Sequence, residues 1–150
     1  MTADVLITGA NGQLGWELGR RAETKDRTAR AFVRADLNIA DADAVARTIE
    51  SLSPKVVINA AAYTAVDKAE TEPAAAFAVN RDGPANVAAT CAAHNIPLIH
   101  ISTDYVFDGT NQHAYGEEDL VAPLGVYGAS KLAGEDAIRD SQVDHVIIRT

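Results

Sequence analysis

The chain has 150 residues, 47% of them hydrophobic and 23% charged, which suits one globular domain with a real core. Acidic residues outnumber basic ones by 21 to 13, for a formal net charge of −8, and this argues against nucleic acid or an anionic membrane surface as a main partner. The single cysteine, Cys91, excludes an internal disulfide framework and fits a reducing compartment. No apolar run approaches the ~20 residues that a membrane helix needs. The N-terminal run "VLIT" leads straight into glycines and reads as a strand, not a signal peptide. A cytoplasmic protein is expected.

Apolar, β-rich runs alternate with helical patterns along the chain. Asp4–Thr8 reads as a short buried strand, and 12–21 as a helix. "TKDRT" is a polar connection, and Ala29–Val33 a second strand. Asp41 is placed to cap a helix ending near Leu52, with Ala44, Val45, Thr48, Ile49 and Leu52 at helical spacing. Val56–Ala60 is a third strand, unalternating and so expected to be buried on both faces. The alanine-rich stretch 71–94 is helical, with a break near Gly83–Pro84. Pro97–Thr103 is a fourth strand and 104–123 a long polar loop. "VYGASKLAGEDAI" is a helix, and His145–Arg149 a fifth strand.

This order predicts an α/β fold, a doubly wound Rossmann-type parallel sheet with helices on both faces. The chain stops directly after a strand, where such a domain usually continues. The expectation is therefore one nucleotide-binding domain over 1–150, cut before a C-terminal substrate part.

Gly9, Gly12 and Gly15 stand at G-x-x-G-x-x-G spacing between the first strand and the first helix. Gly9 suits the tight turn, Gly12 the approach of a pyrophosphate, and Gly15 close helix packing; the helix N-terminus offers its N–H groups to the phosphates. An acidic residue that would hold a ribose 2′-hydroxyl is absent at the end of strand two, where Val33 is followed by Arg34. Arginine suits a 2′-phosphate, so NADPH is favoured over NADH. Asp36 and Leu37 are placed to flank the adenine. The small side chains of "NAAAYT", Ala60, Ala61 and Ala62 among them, suit a strand end passing close beneath a cofactor.

Tyr127 and Lys131 are four residues apart and so share one helical face. A lysine ammonium beside a phenol lowers the phenol pKa from about 10 toward the range useful for proton transfer. The small residues between them, Gly128, Ala129 and Ser130, would let a flat ligand approach the helix. Ser102, Thr103 and Asp104 follow the carboxyl end of strand four, where ligands bind in open α/β sheets.

Together, "GANGQLGWEL", "INAAAYTAVDKAE", "ISTDYVFDGT", "VYGASKLAGE" and "IIRT" resemble the dTDP-4-dehydrorhamnose reductase family of extended short-chain dehydrogenases/reductases. The resemblance implies NAD(P)H-dependent reduction of dTDP-4-dehydro-L-rhamnose to dTDP-L-rhamnose. It makes Tyr127 the general acid and Lys131 the group that lowers its pKa and holds the nicotinamide ribose. Thr103 would tune Tyr127 and touch the sugar, with Asp104 and Tyr105 near the substrate. Gly12, Gln13 and Leu14, then Asp36 and Leu37, then Ala62, Tyr63 and Thr64 would line the cofactor. Some family members pair subunits through magnesium, and no residue here is assigned to it. The family is roughly twice this length. An exposed apolar sheet edge would favour a homodimer.

Two other readings share the motif set. One is a non-catalytic regulatory subunit like that of methionine adenosyltransferase. The other is a nucleotide-sugar epimerase or dehydratase, but the acidic pair expected of a dehydratase beside the strand-four hydroxyl is missing, since Thr103 is followed by Asp104 and Tyr105.

Overall fold

The structure is a computed structural model that describes residues 3–25 and 27–150; Asp26 of the polar connection lies outside them. Five strands, β1 (Val5–Thr8), β2 (Ala29–Phe32), β3 (Val56–Asn59), β4 (Leu98–Ser102) and β5 (His145–Arg149), form one parallel sheet in the order β2-β1-β3-β4-β5. The register sets Leu6 beside Val57 and Val57 beside Leu98. From β1 the chain runs to one side to make β2, then returns past β1 to make β3. That reversal opens a crevice at the carboxyl ends of β1 and β3, the place where doubly wound sheets bind ligands.

The helices are α1 (Gln13–Glu23), α2 (Ala42–Leu52), α3 (Val66–Ala69), α4 (Pro73–Phe77), α5 (Gly83–Ala93) and α6 (Val126–Asp140). As the spacing predicts, Asp41 caps α2, accepting a hydrogen bond from the Ala44 N–H at 3.0 Å; such a cap is worth about 1 kcal/mol. Val45, Ile49 and Leu52 are the buried stripe of that helix. The alanine-rich stretch breaks slightly earlier than expected, at a π turn over Ala78–Asp82. Pro84, which has no N–H to donate back along the chain, follows that turn in the first turn of α5.

Helices cover both faces, but unequally. Helices α2, α5 and α6 pack side by side over Leu6, Val57 and Leu98, closing a core that includes Val45, Ile49, Val87, Cys91 and Ile138. Each of these larger apolar side chains contributes about 1.5–3 kcal/mol by burial. On the other face Leu18 and Ala22 of α1 lie beside Val5, Ile7 and Ile58. Farther along that face Val146 and Ile148 of β5 stay exposed, at 55% and 43%. This corrects the expectation that β3 is buried on both faces: Val57 is sealed, whereas Val56 and Ile58 are only half-buried, because α1 reaches no farther across the sheet. Among the described residues, no helix is long and apolar enough to cross a membrane.

Candidate functional site

The glycine loop folds around a left-handed Gly9, with φ +74°. A Cβ on Gly9 would come within 2.6 Å of the Ala61 nitrogen, so only glycine lets the loop rest on the end of β3. A Cβ on Gly15 would overlap the Gly9 carbonyl; its absence lets α1 start directly against the loop. Gly12 is the N-cap of α1, with no side chain competing for the first N–H groups. Beside this loop lies a cavity of about 350 Å³ lined by Gly9, Asn11, Gly12, Arg34, Leu37, Asn38, Ile39, Ala60, Ala61, Ala62, Tyr63, Thr64 and Val79. Arg34 is exposed on its rim.

Beneath the loop runs a buried polar row. Thr8 Oγ1 donates to Asn59 Oδ1 at 2.6 Å, and the Ala61 N–H donates to the same oxygen at 3.3 Å. The Asn59 amide N–H₂ therefore faces His100 Nδ1, 3.1 Å away, and the imidazole proton belongs on Nε2. His100 is fully buried, and its Nε2 has no protein partner among the described residues. Burial, with the Lys131 charge nearby, holds His100 down at about 3, so the ring is neutral.

A second cavity, of about 420 Å³, lies along the start of α6. Its walls are Val66, Glu70, Asp104, Tyr105, Phe107, Asp108, Gly109, Leu124, Gly125, Tyr127 and Gly128. Tyr105 and Tyr127 meet edge to face at 5.4 Å. Thr103 caps the short 3₁₀ turn Asp104–Val106, accepting from the Tyr105 N–H at 3.2 Å. Helix α6 has no capping side chain of its own; Glu70 supplies one from a distance, accepting from the Val126 N–H at 2.7 Å.

The Tyr127–Lys131 pair departs from its expected behaviour. Burial raises the Tyr127 phenol above its usual 10, partly offset by the Thr103 hydroxyl, with Tyr105 and Asp104 adding to the rise. Lys131 does not lower it. Its ammonium turns inward and donates to the Ile101 carbonyl at 2.6 Å, and the residue is 2% exposed. Desolvation brings Lys131 down to about 8, against the pull of Glu135 one turn later. Glu135 is itself fully buried and takes hydrogen bonds from Ser102, Arg139 and Arg149, the last at 2.7 Å. Of the small residues of the motif, Gly128 lines the second cavity beside Tyr127, as expected, whereas Ser130 does not. Gly128 makes room for the Tyr105 carbonyl, and Ser130 is sealed against Asn80.

A model of the RmlD substrate binding domain family matches residues 2–150. The chain belongs to that family. It is 45% identical over 144 residues to a dTDP-4-dehydrorhamnose reductase of Sinorhizobium fredii, covering 96% of this chain and 48% of the relative. It is also 45% identical over 151 residues to that of Mycolicibacterium smegmatis, covering 46% of the relative. Thus the chain spans about half the length of the curated relatives it matches. A crystal structure of dTDP-4-dehydrorhamnose reductase from Bacillus anthracis in complex with NADP superposes with a TM-score of 0.94 at 38% identity, over 99% of this chain and 53% of that one. A Thermus thermophilus UDP-glucose 4-epimerase with NAD superposes at 0.86 but at only 20% identity, a likeness of fold alone. The RmlD relatives bear the reductase's name, not that of a regulatory subunit.

In this member of the RmlD family, the nucleotide-side residues expected from sequence gather as follows. Gly9, Gly12, Arg34, Leu37 and the segment Ala60–Thr64 line the first cavity. Gln13 and Leu14 are exposed in the first turn of α1, and Gly15 is buried behind Gly9. Asp36 departs: it lies in a separate depression with Gly19, Glu23, Arg30 and Phe32, because the turn held by the Asp36 and Leu37 N–H groups on the Val33 carbonyl brings Leu37 inward instead. Asp104, Tyr105 and Tyr127 line the second cavity, Thr103 is buried next to it, and Lys131 lines neither. Asn38, Ile39 and Val79 in the first cavity, and Glu70 in the second, escape sequence reasoning. Glu70 lies inside the quoted "AVDKAE", as Asn11 of the first cavity lies inside "GANGQLGWEL" and Asp108 of the second inside "ISTDYVFDGT", so for these the motifs carried a local signal. Among the described residues, no group of three or more His, Cys, Asp or Glu is arranged to hold a metal ion.

Proposed function

We propose that this chain is the nucleotide-binding and catalytic part of an NADPH-dependent reductase of dTDP-4-dehydro-L-rhamnose, yielding dTDP-L-rhamnose. One observation carries the reading: the segment from Ala60 to Val66 passes from a glycine-loop cavity to a second cavity into which Tyr127 faces. The first cavity fits a dinucleotide. Its floor is backbone where a Gly9 Cβ would collide, the α1 N-terminus presents unpaired N–H groups, and Arg34 stands at the rim for a 2′-phosphate. When bound, the dinucleotide supplies the hydride.

The residues of the chain supply the rest. Tyr127, held protonated by burial, suits a general acid that gives its proton to the carbonyl oxygen as negative charge develops there. Thr103 and Asp104 stand beside that hydroxyl. Lys131, at about 8, is mostly charged at neutral pH; in the reductase it would hold a ribose hydroxyl and return a proton to Tyr127. The wall of the second cavity bears three carboxylates, Glu70, Asp104 and Asp108, and no cation. That chemistry takes a neutral, hydroxyl-bearing ring and leaves the diphosphate outside. The same reading makes the active protein cytoplasmic and a homodimer.

Calorimetric titration with NADPH and NADH tests the nucleotide half. NADPH should bind more tightly, and Arg34→Ala should erode the preference about tenfold, the worth of a charge-assisted hydrogen bond. NADPH consumption with dTDP-4-dehydro-L-rhamnose, abolished by Tyr127→Phe, tests the chemistry. Equal affinity for the two nucleotides, unaltered by Arg34→Ala, would remove the assignment of Arg34. No turnover by protein that binds NADPH and carries the relatives' full length would remove the substrate.

A further inference from the structure

The polar segment that follows the second cavity's wall is held at one point. From Gly109 to Leu120 every residue is exposed except Tyr115. Its ring lies flat on Phe107, with centroids 4.3 Å apart and planes 6° from parallel. Phe107 belongs to the cavity wall and is only 8% exposed. The Arg149 guanidinium lies 5.0 Å from the centre of the same ring. Buried Glu135 fixes that guanidinium with two hydrogen bonds, at 3.0 and 2.7 Å. The series Glu135, Arg149, Phe107, Tyr115 thus joins α6 and β5 to the polar segment. The Tyr115 hydroxyl then ties the segment to itself: it accepts from the Asn111 N–H at 3.0 Å and donates to Asp108 Oδ1 at 2.8 Å.

Asp108 lies in the wall of the same cavity. Three donors converge on its Oδ1: the Thr110 N–H at 3.0 Å, the Thr110 hydroxyl at 2.9 Å and the Tyr115 hydroxyl. These bonds, that of the Thr110 N–H foremost, hold the carboxyl below its ordinary 3.8, so it is ionised at neutral pH. All three use Oδ1, and none of the hydrogen bonds among the described residues engages Oδ2. A carboxylate fixed by one oxygen and open at the other is an acceptor for a hydroxyl. We propose that Tyr115 is a positioning residue: it buckles the 109–120 segment onto Phe107 and sets Asp108 to accept, through Oδ2, a hydrogen bond from a ring hydroxyl of the sugar. Tyr115 lines neither cavity and acts through Phe107 and Asp108. The buckle stands on the stack and the hydrogen bonds alone, and the hydroxyl it serves rests on the substrate proposed above.

The test uses the 150-residue chain with Tyr115→Phe, which keeps the ring without the hydroxyl, Tyr115→Leu, which keeps neither, and Asp108→Asn, each confirmed as folded by circular dichroism. NMR titration of the Asp108 carboxyl needs no ligand. In Tyr115→Phe it should move to higher pH, because a donor to the charged form is lost; an unmoved titration overturns the buckle. The Phe107 ring protons report the stack. They should hold their upfield positions in Tyr115→Phe and lose them in Tyr115→Leu, and identical spectra would also overturn the buckle. Calorimetric titration of the NADPH-saturated protein with dTDP-L-rhamnose reads the sugar. Asp108→Asn should weaken its binding at least about fivefold and Tyr115→Phe about threefold, with NADPH affinity kept within about twofold. A purely structural role would weaken both ligands alike, and that result overturns the assignment. On the 2-deoxy and 3-deoxy analogues of the sugar, the Asp108→Asn penalty should vanish for one of the two; an equal penalty on both refutes the hydroxyl. If neither this chain nor protein of the relatives' full length binds dTDP-L-rhamnose while the Asp108 titration still responds to Tyr115→Phe, the buckle holds and the sugar reading falls.

Discussion

His100→Gln should flatten the acid limb of the stability curve. In the folded chain His100 is buried and neutral, its pKa pushed down to about 3 from the ordinary 6.5. The unfolded chain binds this proton at 6.5 and the folded chain does not, so the folded pKa is depressed. The associated stability is complete above 6.5 and is lost as pH falls from 6.5 toward 3, with a limiting slope of about 1.4 kcal/mol per pH unit. Between pH 7.5 and 5 the loss amounts to about 2 kcal/mol. Carboxylates held low by their partners, such as Glu135 and Asp108, act below their ordinary values of 4.5 and 3.8, so this window belongs mainly to His100. Urea denaturation followed by circular dichroism at pH 7.5, 6 and 5 reads it. The unaltered chain should lose about 2 kcal/mol across the series. His100→Gln, although less stable at pH 7.5 through its altered bond to Asn59, should lose little. Parallel curves for the two proteins would refute the claim that the ring is buried and neutral.

Lys131→Met should stabilise the fold at pH 7 by roughly 3 kcal/mol at most, the linkage worth of a lysine held at about 8. That advantage should shrink as pH rises from 8 to 10.5, because the unaltered lysine then sheds its charge in the folded chain; denaturation at pH 7 and pH 9 checks the trend. Gly15→Ala should weaken NADPH binding by more than about tenfold, since its methyl must displace the Gly9 carbonyl. Calorimetric titration alongside a urea midpoint separates loop displacement from unfolding, and unchanged affinity would show that the loop has room.

What the sequence by itself determined is whatever local spacing encodes. Asp41 capping α2 depends on residues three apart, the glycine loop on seven consecutive positions, and the five strands on short apolar runs that matched to within a residue or so at each end. Even the two cavities were foreshadowed, because strand ends in a doubly wound sheet converge by topology. Tertiary structure alone decided where charges point and what they feel. Lys131 turned to the Ile101 carbonyl, 30 residues away, instead of lowering the Tyr127 pKa four residues away. Asp36 was turned out of the nucleotide cavity while Leu37 turned in. Asn80 found Tyr63 and Ser130 across 17 and 50 positions. Periodicity reports which residues share a face of one element. Burial and hydrogen-bond partnership depend on which elements are laid against that face, and for Tyr127 desolvation by those neighbours raises the phenol, opposed only by the Thr103 hydroxyl.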